Sequence, residues 1–101
     1  MTKVAAIQMV SGLNIKNNLD EMNRLVCKAT QKGAKLVLLP EFFALLSDQH
    51  EDKVSHAETP LDLYKDCSLI TQLSPIQRAL SRAAKDNNVW VVGGTIPLKT
   101  E

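Results

Sequence analysis

Aromatic residues are scarce in this sequence: Phe42, Phe43, Tyr64 and Trp90 make up 4% of it. They do not alternate with basic residues, so a platform for stacking nucleic-acid bases is not expected. An excess of charge of either sign is also missing. Lysine and arginine total 12, aspartate and glutamate 11, and the formal net charge is +1. That balance carries no electrostatic footprint for DNA, RNA or an anionic membrane. Cysteine occurs twice, as Cys27 and Cys67, outside any CxxC or Cys/His spacing. Neither a disulfide framework nor structural zinc is expected from such a pair. No apolar run approaches the ~20 residues of a membrane helix. The start, Met1-Thr2-Lys3, runs into a short apolar segment without the long apolar stretch and cleavage site of a signal peptide. A cytoplasmic, reduced and soluble protein is the expectation, with no nucleic-acid or membrane partner and no cofactor or metal.

What is present is the composition of a folded chain. Apolar residues reach 45%, too many for a disordered segment. A length of 101 residues leaves room for one small domain.

Three apolar runs punctuate the chain. Val4-Ala5-Ala6-Ile7-Gln8-Met9-Val10, Lys35-Leu36-Val37-Leu38-Leu39 and Val89-Trp90-Val91-Val92 each read as a strand buried on both faces. Between the first two, residues 19–31 predict a helix with Asn18 as N-cap and Glu21 closing a capping box. Leu19, Met22, Val26 and Ala29 form its apolar stripe. Gly33 stops it. Before the third strand, Ser74-Pro75-Ile76-Gln77 predicts a helix start, with serine as cap, proline in the first turn and glutamine closing the box. Ile76, Ala79, Leu80 and Ala83 line its inner face, and Arg78, Arg82 and Lys85 its outer one. Residues 44–73 are irregular, with a polar surface loop expected over 48–58. The order is β-α-β-loop-α-β, an α/β layer architecture with parallel strands joined by right-handed crossovers. Three strands make an incomplete sheet, and the third is expected to leave an open edge.

In such sheets reactive groups gather at the carboxyl ends of the strands. The second strand ends in Pro40-Glu41-Phe42-Phe43 and the third in Gly93-Gly94-Thr95. Glu41, between proline and phenylalanines, is expected to be partly desolvated, which suits a carboxyl group to proton transfer near neutral pH. Its spacing alone equally allows a solvated loop carboxylate. Phe42 and Phe43 can wall a pocket or simply pack between layers. His50 and His56 share a charged loop with Asp48, Glu51, Asp52 and Glu58, but the spacing fits no metal-ligand pattern, and solvated histidines are expected. Gly93-Gly94-Thr95 lacks the GxGxxG and GxxxxGK[ST] patterns of phosphate loops. Close backbone approach is the better use for these glycines.

Taken together, these segments resemble the nitrilase, or carbon–nitrogen hydrolase, superfamily. Leu36-Val37-Leu38-Leu39-Pro40-Glu41-Phe42 is similar to that family's glutamate segment. Val4-Ala5-Ala6-Ile7-Gln8-Met9 resembles its first strand, and Asn17-Asn18-Leu19 the beginning of its first helix. Ala79-Leu80 through Val91-Val92-Gly93-Gly94-Thr95-Ile96-Pro97 resembles its next helix and strand. Residues 41–53 most resemble amidases of the deaminated-glutathione and omega-amidase branch. The resemblance implies the N-terminal part of an αββα sandwich over residues 1–101, in a protein that forms homo-oligomers and cleaves a small amide or nitrile. It also implies a Glu-Lys-Cys triad, with Glu41 on the general-base position. The family's lysine and nucleophilic cysteine fall beyond Glu101; Lys99 comes too early to match the lysine. Neither Cys27, on a helix, nor Cys67, in the irregular middle, sits where a thiol is activated. The chain alone is therefore expected to be inactive. Two other readings stand beside this one: a non-catalytic interaction module or truncated pseudoenzyme that pairs with a full-length relative, and a small nucleotide-binding domain, which the missing phosphate loop disfavours.

Overall fold

A computed structural model describes residues 2–47, 49–60 and 74–99, with the side chain of His50 outside that description. Cys67 and Tyr64 lie outside the described residues, as does Asp48. The strands are β1 (Lys3–Ala6), β2 (Ala34–Leu38) and β3 (Trp90–Val92), shorter than their apolar runs. The helices are α1 (Ile15–Gln31), α2 (His50–Ser55) and α3 (Pro75–Asn87). The expected β-α-β-loop-α-β order holds, with α2 inserted in the polar stretch. All pairings are parallel, and the sheet order is β1-β2-β3. Among the described residues no strand pairs with the outer edge of β1 or of β3.

Register sorts the strand residues by face. Ala5, Val37 and Val91 stand side by side. They meet the apolar stripes of α1 and α3, which pack against each other and against the sheet. Met22 and Val26 from α1, Ile76 from α3, Val37 and Phe43 are fully buried there. Each such side chain contributes about 1.5–3 kcal/mol of burial. Val4, Leu36 and Trp90 form the next rung, then Ala6, Leu38 and Val92. Alternation turns these rungs to the opposite face. That face is uncovered: Val4 is 56% exposed, Trp90 79% and Val92 49%. The expectation that the strands are buried on both faces is thus corrected. Continuous apolar sequence shows that both faces are apolar, but both described long helices lie on one of them.

The helix starts also differ from expectation. α1 begins four residues before Leu19, with Asn14 as its cap and the Asn14 side chain accepting the Asn17 N–H at 3.0 Å. Asn18 is instead buried inside the first turn. Its side chain accepts from the Gly12 N–H at 3.1 Å and donates to the carbonyls of Gly12 and Ala44 at 2.9 and 2.8 Å. It ties the loop after β1 to the loop after β2. Glu21 does not close a capping box; it pairs with Arg24 at 2.6 Å. Nor does Ser74 cap α3: its hydroxyl donates to the Thr59 carbonyl at 2.8 Å. At the far end of α3, Asn88 takes the left-handed conformation (φ 53°) that ends the helix.

Candidate active site at the carboxyl end of the sheet

Parallel strands bring their carboxyl ends to one edge of the sheet. The ladder continues past the strands, with Ile7 N–H donating to Leu38 and Leu39 N–H to Val92, both at 2.9 Å. Glu41 therefore follows the central strand directly. Pro40 precedes it and lacks the N–H that would extend the ladder. Phe42 then turns the chain with φ 54°, a conformation that costs a non-glycine residue of order 1 kcal/mol or more and recurs at functional sites. Two contacts hold this turn. Phe42 N–H donates to the Thr95 carbonyl at 3.0 Å. Gly94, at φ +66°, lies so close that a Cβ would meet the Pro40 carbonyl oxygen at 2.9 Å and the Glu41 Cα at 3.1 Å. The close approach expected of these glycines is therefore present. At Gly93 a Cβ would instead meet the Leu80 side chain, 2.7 Å from Cδ1.

The Glu41 side chain is exposed, which corrects the expected desolvation. Phe43, not Glu41, points into the core, where it is fully buried. The turn at Phe42 directs the carboxylate outward at the strand ends.

Beside Glu41 opens a cavity of about 570 Å³ lined by Phe42, Lys53, Val54, Ala57 and residues 95–99. Lys53 Nζ sits 4.7 Å from the centre of the Phe42 ring, within cation–π range. Lys99 lines the same cavity. Among the described residues its lining carries two lysines and no carboxylate. This lysine pair had no distinguishing spacing in the sequence; α2 and the segment after β3 bring its members together.

Among the described residues, Cys27, His56 and Glu58, also singled out in the sequence, do not line this cavity. Cys27 is exposed on α1, with the Gln31 amide 3.8 Å from its sulfur. The His56 ring bonds the Asp52 carbonyl at 2.9 Å, and among the described residues no three His, Cys, Asp or Glu side chains gather as metal ligands. Among the described residues, no helix is long and apolar enough to cross a membrane. Glu58, expected in a solvated loop, is buried at 2% exposure and bonded to the start of α3. Nothing local in the sequence marks it, because its partners begin at Ile76.

The family model of the carbon-nitrogen hydrolases matches residues 3–101. Nitrilase homolog 2 of Dictyostelium discoideum is 30% identical over 95 residues, covering 94% of this chain and 25% of that protein. The deaminated glutathione amidase of Synechocystis is 47% identical over 47 residues, 46% of this chain and 17% of the relative. The matches thus span a quarter or less of each curated relative's length.

Proposed function

Because this chain belongs to the carbon-nitrogen hydrolase family, we propose that it forms the general-base side of an amidase active site, with Glu41 as the base. The supporting observation is the position of Glu41 at the end of the central strand, on a turn fixed by Gly94 and by the Phe42–Thr95 hydrogen bond. In this reading Glu41 takes the proton of a cysteine thiol supplied from outside residues 1–101. The thiolate attacks the amide carbon, the protonated Glu41 returns its proton to the departing ammonia or amine, and a thioester remains. Glu41 then deprotonates the water that releases the acid. A lysine, also supplied from outside this chain, stabilises the negative charge that develops on the carbonyl oxygen. Alone, the chain has the base without the nucleophile and is inactive. A reducing, cytoplasmic setting suits it, since the attacking sulfur must remain a thiol.

The cavity beside Glu41 supports a substrate class. Lys53 and Lys99 in its lining favour an amide that also bears a carboxylate, over a neutral one. The name of the Synechocystis relative, a deaminated glutathione amidase, is consistent with a substrate of that kind. The test is ammonia release from succinamate and from neutral succinamide. It is run with the chain alone and with the chain joined to the part of the Dictyostelium relative beyond the matched region. Activity only in the joined protein, and preference for succinamate lost in Lys53→Met, fit the proposal. Activity of the chain alone contradicts it.

The uncovered sheet face favours a second reading. Val4, Leu38, Trp90 and Val92 form an apolar surface suited to pairing, so the chain can act as a non-catalytic module that docks on a relative or on a second copy of itself. A stable stoichiometric complex with a full-length relative, without effect on its ammonia release, is the outcome that selects this reading.

A further inference from the structure

No step of the proposed hydrolysis uses Glu58, yet this carboxylate is 2% exposed. A buried carboxylate is costly unless its oxygens are bonded, and both are. One accepts the Ile76 N–H at 2.6 Å; the other accepts the Gln77 N–H at 3.0 Å and the Gln77 side-chain amide at 3.2 Å. The two backbone donors belong to the first turn of α3, where N–H groups have no partner within the helix. The helix dipole also favours negative charge there. Glu58 is the cap of α3, supplied from 18 residues before Ile76.

Its main chain has a second role. Glu58 N–H donates to the Pro97 carbonyl at 3.0 Å, and its own carbonyl accepts the Lys99 N–H at 2.7 Å, a parallel bridge to Leu98. The segment 92–99 is thereby tied at both ends. At its start, Val92 and Thr95 accept the N–H groups of Leu39 and Phe42. At its finish it is held by Glu58. Between Val92 and Thr95, Gly94 lies against the backbone of Pro40 and Glu41, leaving no room for a Cβ. The residue that anchors the helix also anchors the strap on which the Glu41 turn rests.

We propose that Glu58 is a positioning residue for Glu41, fixing the 92–99 strap against the N-terminus of α3. Only the catalytic consequence rests on Glu41 being the base; the mechanical link does not. Alanine at 58 leaves two backbone donors of α3 without their acceptor. Glutamine keeps one acceptor oxygen and presents an amide to the other donor.

The test is native-state amide exchange of the full chain, followed at Phe42 and Ile7. Phe42 N–H is bonded within the strap; Ile7 N–H is bonded to Leu38 on the other side of β2. Glu58→Ala is expected to speed exchange at Phe42 about tenfold or more while Ile7 changes less than about twofold, with Glu58→Gln between wild type and alanine. Equal acceleration at both amides would reduce Glu58 to a contributor to global stability. Unchanged exchange at Phe42 would remove the link. Either result overturns the proposal, and if Glu58→Ala does not fold, Glu58→Gln gives the same comparison. Neither amide reports hydrolysis, so failure of Glu41 as a base would appear in the ammonia assay and leave this result standing.

Discussion

Gly94 lies where no other residue fits against Pro40: a Cβ on Gly94 would stand 2.9 Å from the Pro40 carbonyl oxygen, on a backbone already at φ +66°. Both the contact and the torsion penalise a side chain, and the atom met is backbone that cannot rotate away. Gly94→Ala should destabilise the chain by about 1–3 kcal/mol. Gly12, with nothing within 4 Å of its Cβ position, should accept alanine within about 0.5 kcal/mol. Urea unfolding of the two variants checks the contrast; equal losses would show that Gly94 is not under constraint.

Asn18 joins two loops that no helix or strand connects. Its side chain makes three hydrogen bonds: it accepts the Gly12 N–H and donates to the Gly12 and Ala44 carbonyls. Asn18→Ala removes the bonds to the Gly12 N–H and the Ala44 carbonyl, while the Gly12 carbonyl keeps the Leu46 N–H, and should cost about 1–3 kcal/mol. The neighbouring exposed Asn17, whose backbone alone is bonded to Asn14, should tolerate alanine within about 0.5 kcal/mol. Denaturant midpoints with unchanged m-values are the readout.

Trp90 reports on the uncovered face. At 79% exposure, the single tryptophan should emit at the wavelength of a water-exposed indole and be quenched freely by acrylamide. Trp90→Lys should raise solubility without lowering stability, because the ring covers little of the core. If copies pair through this face, the emission shifts to the blue as concentration rises. A blue-shifted, protected tryptophan at high dilution would mean that the face is already covered within the chain.

The Glu21–Arg24 pair gives a small pH effect of defined sign. The hydrogen bond and charge of Arg24 hold the Glu21 carboxyl below its ordinary value. A depressed carboxyl contributes stability above its unfolded pKa and loses it as pH falls through the folded one. The stability difference between wild type and Glu21→Gln should therefore narrow in acid and in high salt, since the pair is exposed. A difference that grows on acidification would reverse the sign.

Local pattern made much of the fold legible, and long-range contact accounts for the rest. The stripe Leu19, Met22, Val26, Ala29 and the helix start at Pro75 are spacings that the backbone must obey, and the structure follows them. The run Asn14, Asn17, Asn18 offers several equivalent caps, and Asn18 is drawn away by Ala44, a partner 26 residues distant. Ser74-x-x-Gln77 has the form of a capping box, but a charged acceptor from Glu58 binds the first-turn donors more strongly than a serine hydroxyl does. Glu41 stands out in the sequence through the segment around it, whereas its exposure, beside a left-handed turn at Phe42, is something no composition rule requires. The meeting of Lys53 and Lys99 in one cavity lining depends on where α2 sits, and the sequence carried no sign of it.

The base assignment is tested by comparing wild type and Glu41→Gln in the chain joined to the part of the Dictyostelium relative beyond the matched region, measuring ammonia release from succinamate. The expected result is a loss of about a hundredfold to ten-thousandfold in kcat with the fold intact, and no release by residues 1–101 alone. A Glu41→Gln protein that releases ammonia at the wild-type rate would contradict the role of Glu41, and with it the functional reading of this strand end.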